Sequence, residues 1–237
     1  MEFKNPPPEE INLKTNKHKA FTLSEVLITL VIIGIIAAIT IPIAIANYQE
    51  AAAKAKVKKA YSTLSNAIVM AKSYGMDSDF SAADSNDANI KYWFDTFMKP
   101  ALSTTKVCYD TAGCWNDGDT KNMNGSNVYY NRKGVGVGSN IITAVLNDGT
   151  FVNFDIYGKG SIKNYFGVDI DESNGLIIYF DINGGRKPNT LGKDIFAVVY
   201  KNETIVPAYS DATEEQIKQS CSKNGTGHSC IFKYLEQ

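Results

Sequence analysis

The sequence predicts an α+β fold, in which a long, bent N-terminal helix packs on an antiparallel sheet of about four strands. Residues 26–46 form an uncharged aliphatic run, and an amphipathic helical pattern continues from it to residue 74. Segments with β-strand character, separated by turn residues, follow mainly after residue 140. We therefore expect four regions: a leader at 1–20, an apolar half of the helix at 21–46, an amphipathic half at 47–75 and a globular domain at 76–237.

The aliphatic run is long enough to cross a membrane. It holds no Asp, Glu, Lys, Arg or His over about 21 residues, and at ~1.5 Å per residue such a helix spans the ~30 Å hydrocarbon core of a bilayer. Pro42 lies inside the run and cannot donate a backbone hydrogen bond, so we expect the helix to kink there. Lysines 14, 17 and 19 lie close to the start of the run, which favours a cytoplasmic N-terminus and an exported C-terminus.

Several classes of N-terminal segment begin with a polar leader before an apolar run. A secretory signal peptide has an apolar region of about 7–15 residues and a small-x-small cleavage site. Ala44 and Ala46 fit such a site, but the run is too long for this class. A plain membrane anchor fits the length. Neither class explains Glu25 at the start of the run, where a carboxylate has an energetic cost.

Residues 19–28, Lys-Ala-Phe-Thr-Leu-Ser-Glu-Val-Leu-Ile, resemble the leader junction of the type IV pilin superfamily, which includes type IV pilins and the pseudopilins of type II secretion. The resemblance extends to Pro42, since the family pattern also has a proline inside the helix. It implies that a prepilin peptidase cuts between Ala20 and Phe21 and methylates the new Phe21 amine. The chain departs from the family pattern at Ala20, where the family usually has glycine.

The position of Glu25 has a physical explanation within this resemblance. Cleavage would place a basic amine on Phe21, four residues or about one helical turn before Glu25. In a packed bundle of such helices both charges need a partner, and the amine of a neighbouring, staggered helix can neutralise the carboxylate. We expect Glu25 to set the register of assembly in this way. The alternative is a carboxylate at the lipid headgroups that has no partner.

The helical pattern continues beyond the apolar run. Apolar side chains recur at spacings of three and four, which predicts an amphipathic stripe packed on the globular domain, and Gly75 is a natural helix end. The stripe consists of Val57, Tyr61, Leu64, Ile68 and Ala71.

The globular domain combines one short helix with several strands. Residues 90–98 have the pattern of a short amphipathic helix, and Asp148-Gly149 predicts a tight hairpin turn. The strands of that hairpin are expected at 141–146 and 150–156, two further strands at 175–182 and 195–200, and weaker candidates at 128–131 and 204–206. The resemblance implies the same architecture.

The chain has four cysteines, all after the apolar run: Cys108, Cys114, Cys221 and Cys230. An even number beyond a membrane span indicates disulfides in an oxidising compartment, and three pairings are possible. We expect Cys108–Cys114 and Cys221–Cys230, because local pairing closes the shortest loops; free buried thiols are the alternative. The second pair resembles the cystine-closed C-terminal region of many pilins.

No cofactor or metal is expected. Residues 181–194 form a loop rich in Asp and Asn, and major type II pseudopilins bind calcium in a loop of their sheet region, yet Gly185 and Arg186 break the EF-hand spacing. We therefore favour a structural loop over a calcium site. The glycines at 133–138 lack the Gly-Lys-Ser/Thr end of a phosphate loop. His228 is the only histidine after the apolar run, so we expect no catalytic site.

The resemblance implies a structural subunit of a type IV pilus-like filament or a type II secretion pseudopilus, and no enzyme. Its expected partners are other pilin or pseudopilin subunits, the inner membrane, a prepilin peptidase and an assembly platform. The net charge of −1 at pH 7 indicates no specific nucleic-acid partner. The precursor is expected in a bacterial inner membrane with its globular domain outside the cytoplasm, and the mature subunit in the filament. A monomeric membrane-anchored binding protein, or a hydrolase secreted after cleavage at Ala46, are the alternatives.

Overall fold

The computed structural model describes residues 21–76 and 87–235. The predicted leader at 1–20, with Ala20 of the cleavage site, lies outside the described residues. The chain divides after Tyr48 into two compact units, which are described separately. The first unit contains the apolar part of the long helix, and the second contains the rest of that helix and the sheet.

Helix α1 (Leu23–Ser73) confirms the predicted long helix and begins two residues later than expected. The helix is unbroken at Pro42, and the kink expected there stays a prediction. The C-terminal end has the hydrogen bonds of a Schellman motif. The Met76 N–H donates to the Ala71 carbonyl at 3.1 Å, and the N–H of Gly75, at a φ of 89°, donates to the Lys72 carbonyl at 2.9 Å.

Among its described residues, the second unit adds several shorter helices and eight strands. The helices are α2 (Asp87–Trp93), continued by a π-helical turn at Phe94–Met98, α3 (Lys159–Phe166), α4 (Glu214–Ser220), a 3-10 turn at His228–Ile231 and α5 (Phe232–Leu235). The strands are β1 (Thr104–Tyr109), β2 (Asn131–Arg132), β3 (Gly136–Val137), β4 (Ile142–Leu146), β5 (Phe151–Gly158), β6 (Asn174–Asp181), β7 (Ile195–Lys201) and β8 (Thr204–Pro207).

Six of these strands form one antiparallel sheet in the order β1-β4-β5-β6-β7-β8, which confirms the α+β class. The sheet has two strands more than expected, because β1 was missed and the weak candidate at 204–206 is a full edge strand. The weak candidate at 128–131 contributes only to the separate two-stranded ribbon β2–β3. The predicted hairpin is β4–β5, and the Gly149 N–H closes its turn on the Leu146 carbonyl at 2.9 Å.

Both faces of the sheet are covered. In β6, Ile178 and Phe180 belong to the core cluster that also contains the amphipathic half of α1, whereas Ile177 and Tyr179 belong to a second cluster with α3. Successive side chains of a strand point to opposite faces, so this division follows from the strand geometry. The predicted stripe of α1 is confirmed: four of its members are buried, and Tyr61 is half-buried with its hydroxyl donating to a carbonyl of β8.

Candidate functional site

The start of α1 is closed by a reciprocal pair of side-chain hydrogen bonds. The Thr22 N–H and hydroxyl donate to Glu25 Oε2 at 2.9 and 2.8 Å, and the Glu25 N–H donates to Thr22 Oγ1 at 3.3 Å. This is a capping box, in which a threonine and a glutamate three residues later satisfy each other's exposed backbone N–H groups. Glu25 therefore has a local partner in the single chain, a role that the sequence interpretation missed although Thr-x-x-Glu is its signature.

Phe21 lies just before the helix, with its side chain 85% exposed. We expected Phe21 and Glu25 to lie one helical turn apart. The helix begins only at Leu23, so Phe21 is not part of a helical turn with Glu25. An exposed Phe21 outside the helix is compatible with a cleavage site immediately before it.

Among the described residues of its unit, the apolar part of α1 is left uncovered. From residue 21 to residue 48 every residue is exposed except Ala37, which is intermediate. The side chains are nearly all aliphatic, and this stretch is far larger than the apolar patches that soluble monomers leave in water. Among the described helices, α1 is long and apolar enough to cross a membrane. This surface fits surroundings of lipid or of other apolar helices.

The two polar side chains inside the run are satisfied by their own helix. Thr29 Oγ1 donates to the Val26 carbonyl, and Thr40 Oγ1 donates to the Ile36 carbonyl, each at 2.9 Å. A hydroxyl that bonds back to the preceding turn has no unpaired donor to bury, so both threonines are compatible with hydrocarbon. Glu25 is then the one Asp, Glu, Lys, Arg or His side chain between residues 21 and 46.

All four cysteines are in disulfides, with the two local pairings. Cys108–Cys114 joins β1 to the loop that follows it, and Cys221–Cys230 joins the end of α4 to the 3-10 turn. Each bond therefore closes a short loop of the second unit. Two disulfides fit an oxidising compartment.

The loop at 181–194 is organised by two buried carboxylates. Asp181 accepts hydrogen bonds from the N–H groups of Asn183, Gly184 and Gly185 at 2.9 to 3.3 Å. Asp194 accepts the backbone N–H groups of Asn189 and Thr190 and the side-chain amide of Asn183, at 2.7 to 2.8 Å. Every carboxylate oxygen already accepts an N–H bond.

These hydrogen bonds from N–H groups to the two carboxylates hold the loop in its conformation. No group of three or more His, Cys, Asp or Glu side chains is placed to hold a metal ion within the described ranges. The preference for a structural loop over a calcium site stays a prediction. What the sequence did not show is that Asp181 and Asp194, thirteen residues apart in numbering, both accept hydrogen bonds from Asn183, one from its backbone N–H and the other from its side-chain amide.

The glycines at 133–138 serve packing. A Cβ on Gly136 would lie 2.1 Å from Asn153 Oδ1, and one on Gly138 would lie 1.8 Å from Asp155 Oδ2. Asn153 pairs with both backbone groups of Val137, accepting from its N–H at 2.9 Å and donating to its carbonyl at 3.0 Å. The glycines therefore let the ribbon β2–β3 approach β5.

Two buried titratable groups give opposite dependences of stability on pH. Burial raises the pKa of the Asp181 carboxyl to about 7, so between pH ~4 and ~7 the folded state keeps a proton that the unfolded chain has released. Stability from this group falls as the pH rises through that window. Burial lowers the pKa of His228 to about 4, so below pH ~6.5 the unfolded chain takes up a proton that the folded state does not. Stability from this group falls as the pH decreases.

We predict that these two contributions oppose each other between pH ~4.5 and ~6.5, where one pH unit changes each of them by about 1.4 kcal/mol in opposite directions. His228→Phe should lose stability steeply as the pH rises in this range, and Asp181→Asn should gain stability. Urea unfolding of the full chain at several pH values measures the three slopes. Equal slopes in all three proteins would contradict this assignment.

Comparison with known proteins identifies the N-terminal region. Residues 15–41 match the family described as the prokaryotic N-terminal methylation motif, the signature of type IV pilins and pseudopilins. The match covers the predicted cleavage site, the capping box and most of the apolar run. Neither the curated proteins nor the solved structures gave a match to the chain.

Proposed function

We propose that this chain, which carries the type IV pilin and pseudopilin signature, is a structural subunit of a pilus-like filament or of a pseudopilus. The observation that carries the proposal is the coincidence of the motif at 15–41 with the exposed apolar part of α1. A motif of this kind points to a structural subunit rather than to an enzyme. The precursor resides in the inner membrane through α1, with the second unit on the extracytoplasmic side.

Processing comes first in this proposal. A prepilin peptidase cuts before Phe21, which lies outside the helix, and methylates the new amine. The mature chain then begins with a cationic group just ahead of Glu25, at the end of the apolar surface. Within the membrane both charges remain at the headgroup level, where a rim charge costs less than a central one.

Assembly exchanges lipid neighbours for sister helices. Packed aliphatic helices exclude water, so the Phe21 amine and Glu25 become costly unless each meets an opposite charge. Glu25 is released from Thr22 and pairs with the amine of a staggered neighbour, which sets the axial register of the filament. The capping box keeps Glu25 satisfied until that partner arrives.

Intact mass and N-terminal sequencing of the envelope-bound protein test the proposal. We expect the chain to start at a methylated Phe21. A start at Met1 would support a plain membrane anchor that never assembles, and a secreted form that starts at Asn47 would support the secreted hydrolase. Either of these results would overturn the filament proposal.

A further inference from the structure

A cleft of about 600 Å³ opens on the second unit between the ribbon region, β5, α3 and the C-terminal turn. This volume is within the range of about 300–1,000 Å³ that small-molecule sites occupy. The lining is rich in aromatic rings: Tyr129, Tyr130, Tyr157, Tyr165, Tyr179 and His228. Among the remaining positions, two asparagines, two serines and a threonine supply amide and hydroxyl groups.

Three of the tyrosines form an exposed rim. The side chains of Tyr129, Tyr130 and Tyr165 are 71%, 56% and 57% exposed. Tyr129 and Tyr130 meet edge to face, with their ring centroids 4.2 Å apart. Flat, rigid rings of this kind contribute a large contact area at a low cost in conformational entropy, and they need a flat apolar face on the ligand to contact.

The deeper wall is mainly aromatic, and its phenols are uncharged. The ring of Phe166 contacts those of Tyr179 and His228, with centroid distances of 5.9 and 5.3 Å. Burial raises the pKa of Tyr179 and of Tyr157 far above the usual value, so both phenols remain uncharged hydrogen-bonding groups at any physiological pH.

His228 has unused hydrogen-bonding capacity at this wall. Its side chain is buried, Nδ1 lies 2.9 Å from Thr226 Oγ1, and Nε2 has no hydrogen-bond partner. Buried polar atoms nearly always have a partner, from the protein, water or a ligand. In a neutral imidazole Nε2 is a donor in one tautomer and an acceptor in the other, and a hydroxyl group matches both.

The charged side chains that line the cleft indicate which chemical class of ligand it can bind. Among the described residues that line it there is no Lys or Arg, which disfavours a phosphate or a carboxylate as the recognised group. The one carboxylate is Asp155, which is buried and accepts the Ile156 N–H at 2.8 Å. A cationic ligand would find no exposed counter-charge there.

We propose that this cleft binds a neutral sugar, with one or two rings of an oligosaccharide packed on the tyrosine rim and their hydroxyls paired with the amides, hydroxyls and His228 of the wall. Sugar rings have apolar C–H faces and polar edges. The tyrosine rim would contact the faces, and the polar groups of the wall would pair with the hydroxyls at the edges. The site is on the second unit, so this inference holds whether or not the chain assembles into a filament.

Calorimetric titration of the full-length protein, held in a detergent without a sugar headgroup, tests the proposal. The probes are lactose, maltose, cellobiose and N,N′-diacetylchitobiose, with choline as a cationic probe and glucuronate as an anionic one. We expect at least one neutral disaccharide to bind. Tyr165→Ala should weaken that binding about five- to tenfold, as the loss of one aromatic contact does.

Tyr92→Ala is the matched control, since Tyr92 is 69% exposed on α2 and does not line the cleft. This variant should bind the disaccharide like the wild type. Tyr129→Ala provides a second rim variant, and melting curves show whether each variant is folded. The proposal is overturned if no neutral disaccharide binds, if only choline or glucuronate binds, or if both rim variants bind as tightly as Tyr92→Ala.

Discussion

Glu25→Gln is expected to insert into the membrane normally and to lower filament yield about hundredfold. In the assembled helices the substitution leaves the Phe21 amine buried without a counter-charge. Breaking a buried ion pair costs about 3–5 kcal/mol, and each 1.4 kcal/mol changes an equilibrium constant about tenfold. Glutamine at this position still closes the capping box with Thr22, since either Glu or Gln serves there. Filament yield relative to membrane-bound subunit, measured by shearing and immunoblotting, provides the readout.

Thr22→Ala is the matched control. It removes the hydroxyl that donates to Glu25 at 2.8 Å but keeps the carboxylate, so it should cost only the capping energy of about 1 kcal/mol and preserve assembly. If Glu25→Gln assembled like the wild type while Thr22→Ala failed, Glu25 would act only as a helix cap and the register hypothesis would be wrong.

Asp194→Ala should lower the free energy of unfolding by about 3–5 kcal/mol, because the substitution removes three hydrogen bonds, two of them from buried backbone N–H groups, and each unsatisfied group costs about 1–3 kcal/mol. Asn189 and Thr190 are the residues whose N–H groups lose their acceptor, and both are buried. Urea unfolding of the full chain at neutral pH measures the difference.

Asp171→Ala provides the comparison for this variant, since Asp171 is exposed on a turn of the same unit. We expect its free energy of unfolding to stay within about 0.5 kcal/mol of the wild type, as surface substitutions usually do. If Asp194→Ala lowered the free energy of unfolding by less than about 1 kcal/mol, contacts other than the hydrogen bonds to Asp194 would hold the loop, and the prediction would be wrong.

Several elements were predicted correctly because their signals are local. The apolar run, the amphipathic stripe and Gly75 define α1 to within two residues, and Asp148-Gly149 defines the β4–β5 turn. β1 was missed because its only support is long-range. Its pattern is short, and it becomes a strand through pairing with β4, more than thirty residues later.

The candidate sites divide in the same way. Glu25 stands out in the sequence because a charge beside an apolar run is costly in any fold. Its capping partner Thr22 was readable from Thr-x-x-Glu but was overlooked. The sugar cleft was unreadable, because its tyrosines come from four separate segments and none of them differs in sequence from an ordinary core or surface tyrosine.

The amino-acid sequence by itself determined the processing motif, the apolar helix and its charged start, and it favoured the local disulfide pairing, since each depends on residues a few positions apart. Only the tertiary structure decided which face of β6 each side chain occupies. It also decided that N–H groups donate to the carboxylates of Asp181 and Asp194, and that aromatic rings meet around one cleft. The reason is physical. Helix periodicity and capping act within one turn of the chain, whereas burial, strand pairing and cavity shape depend on contacts between segments that only folding brings together.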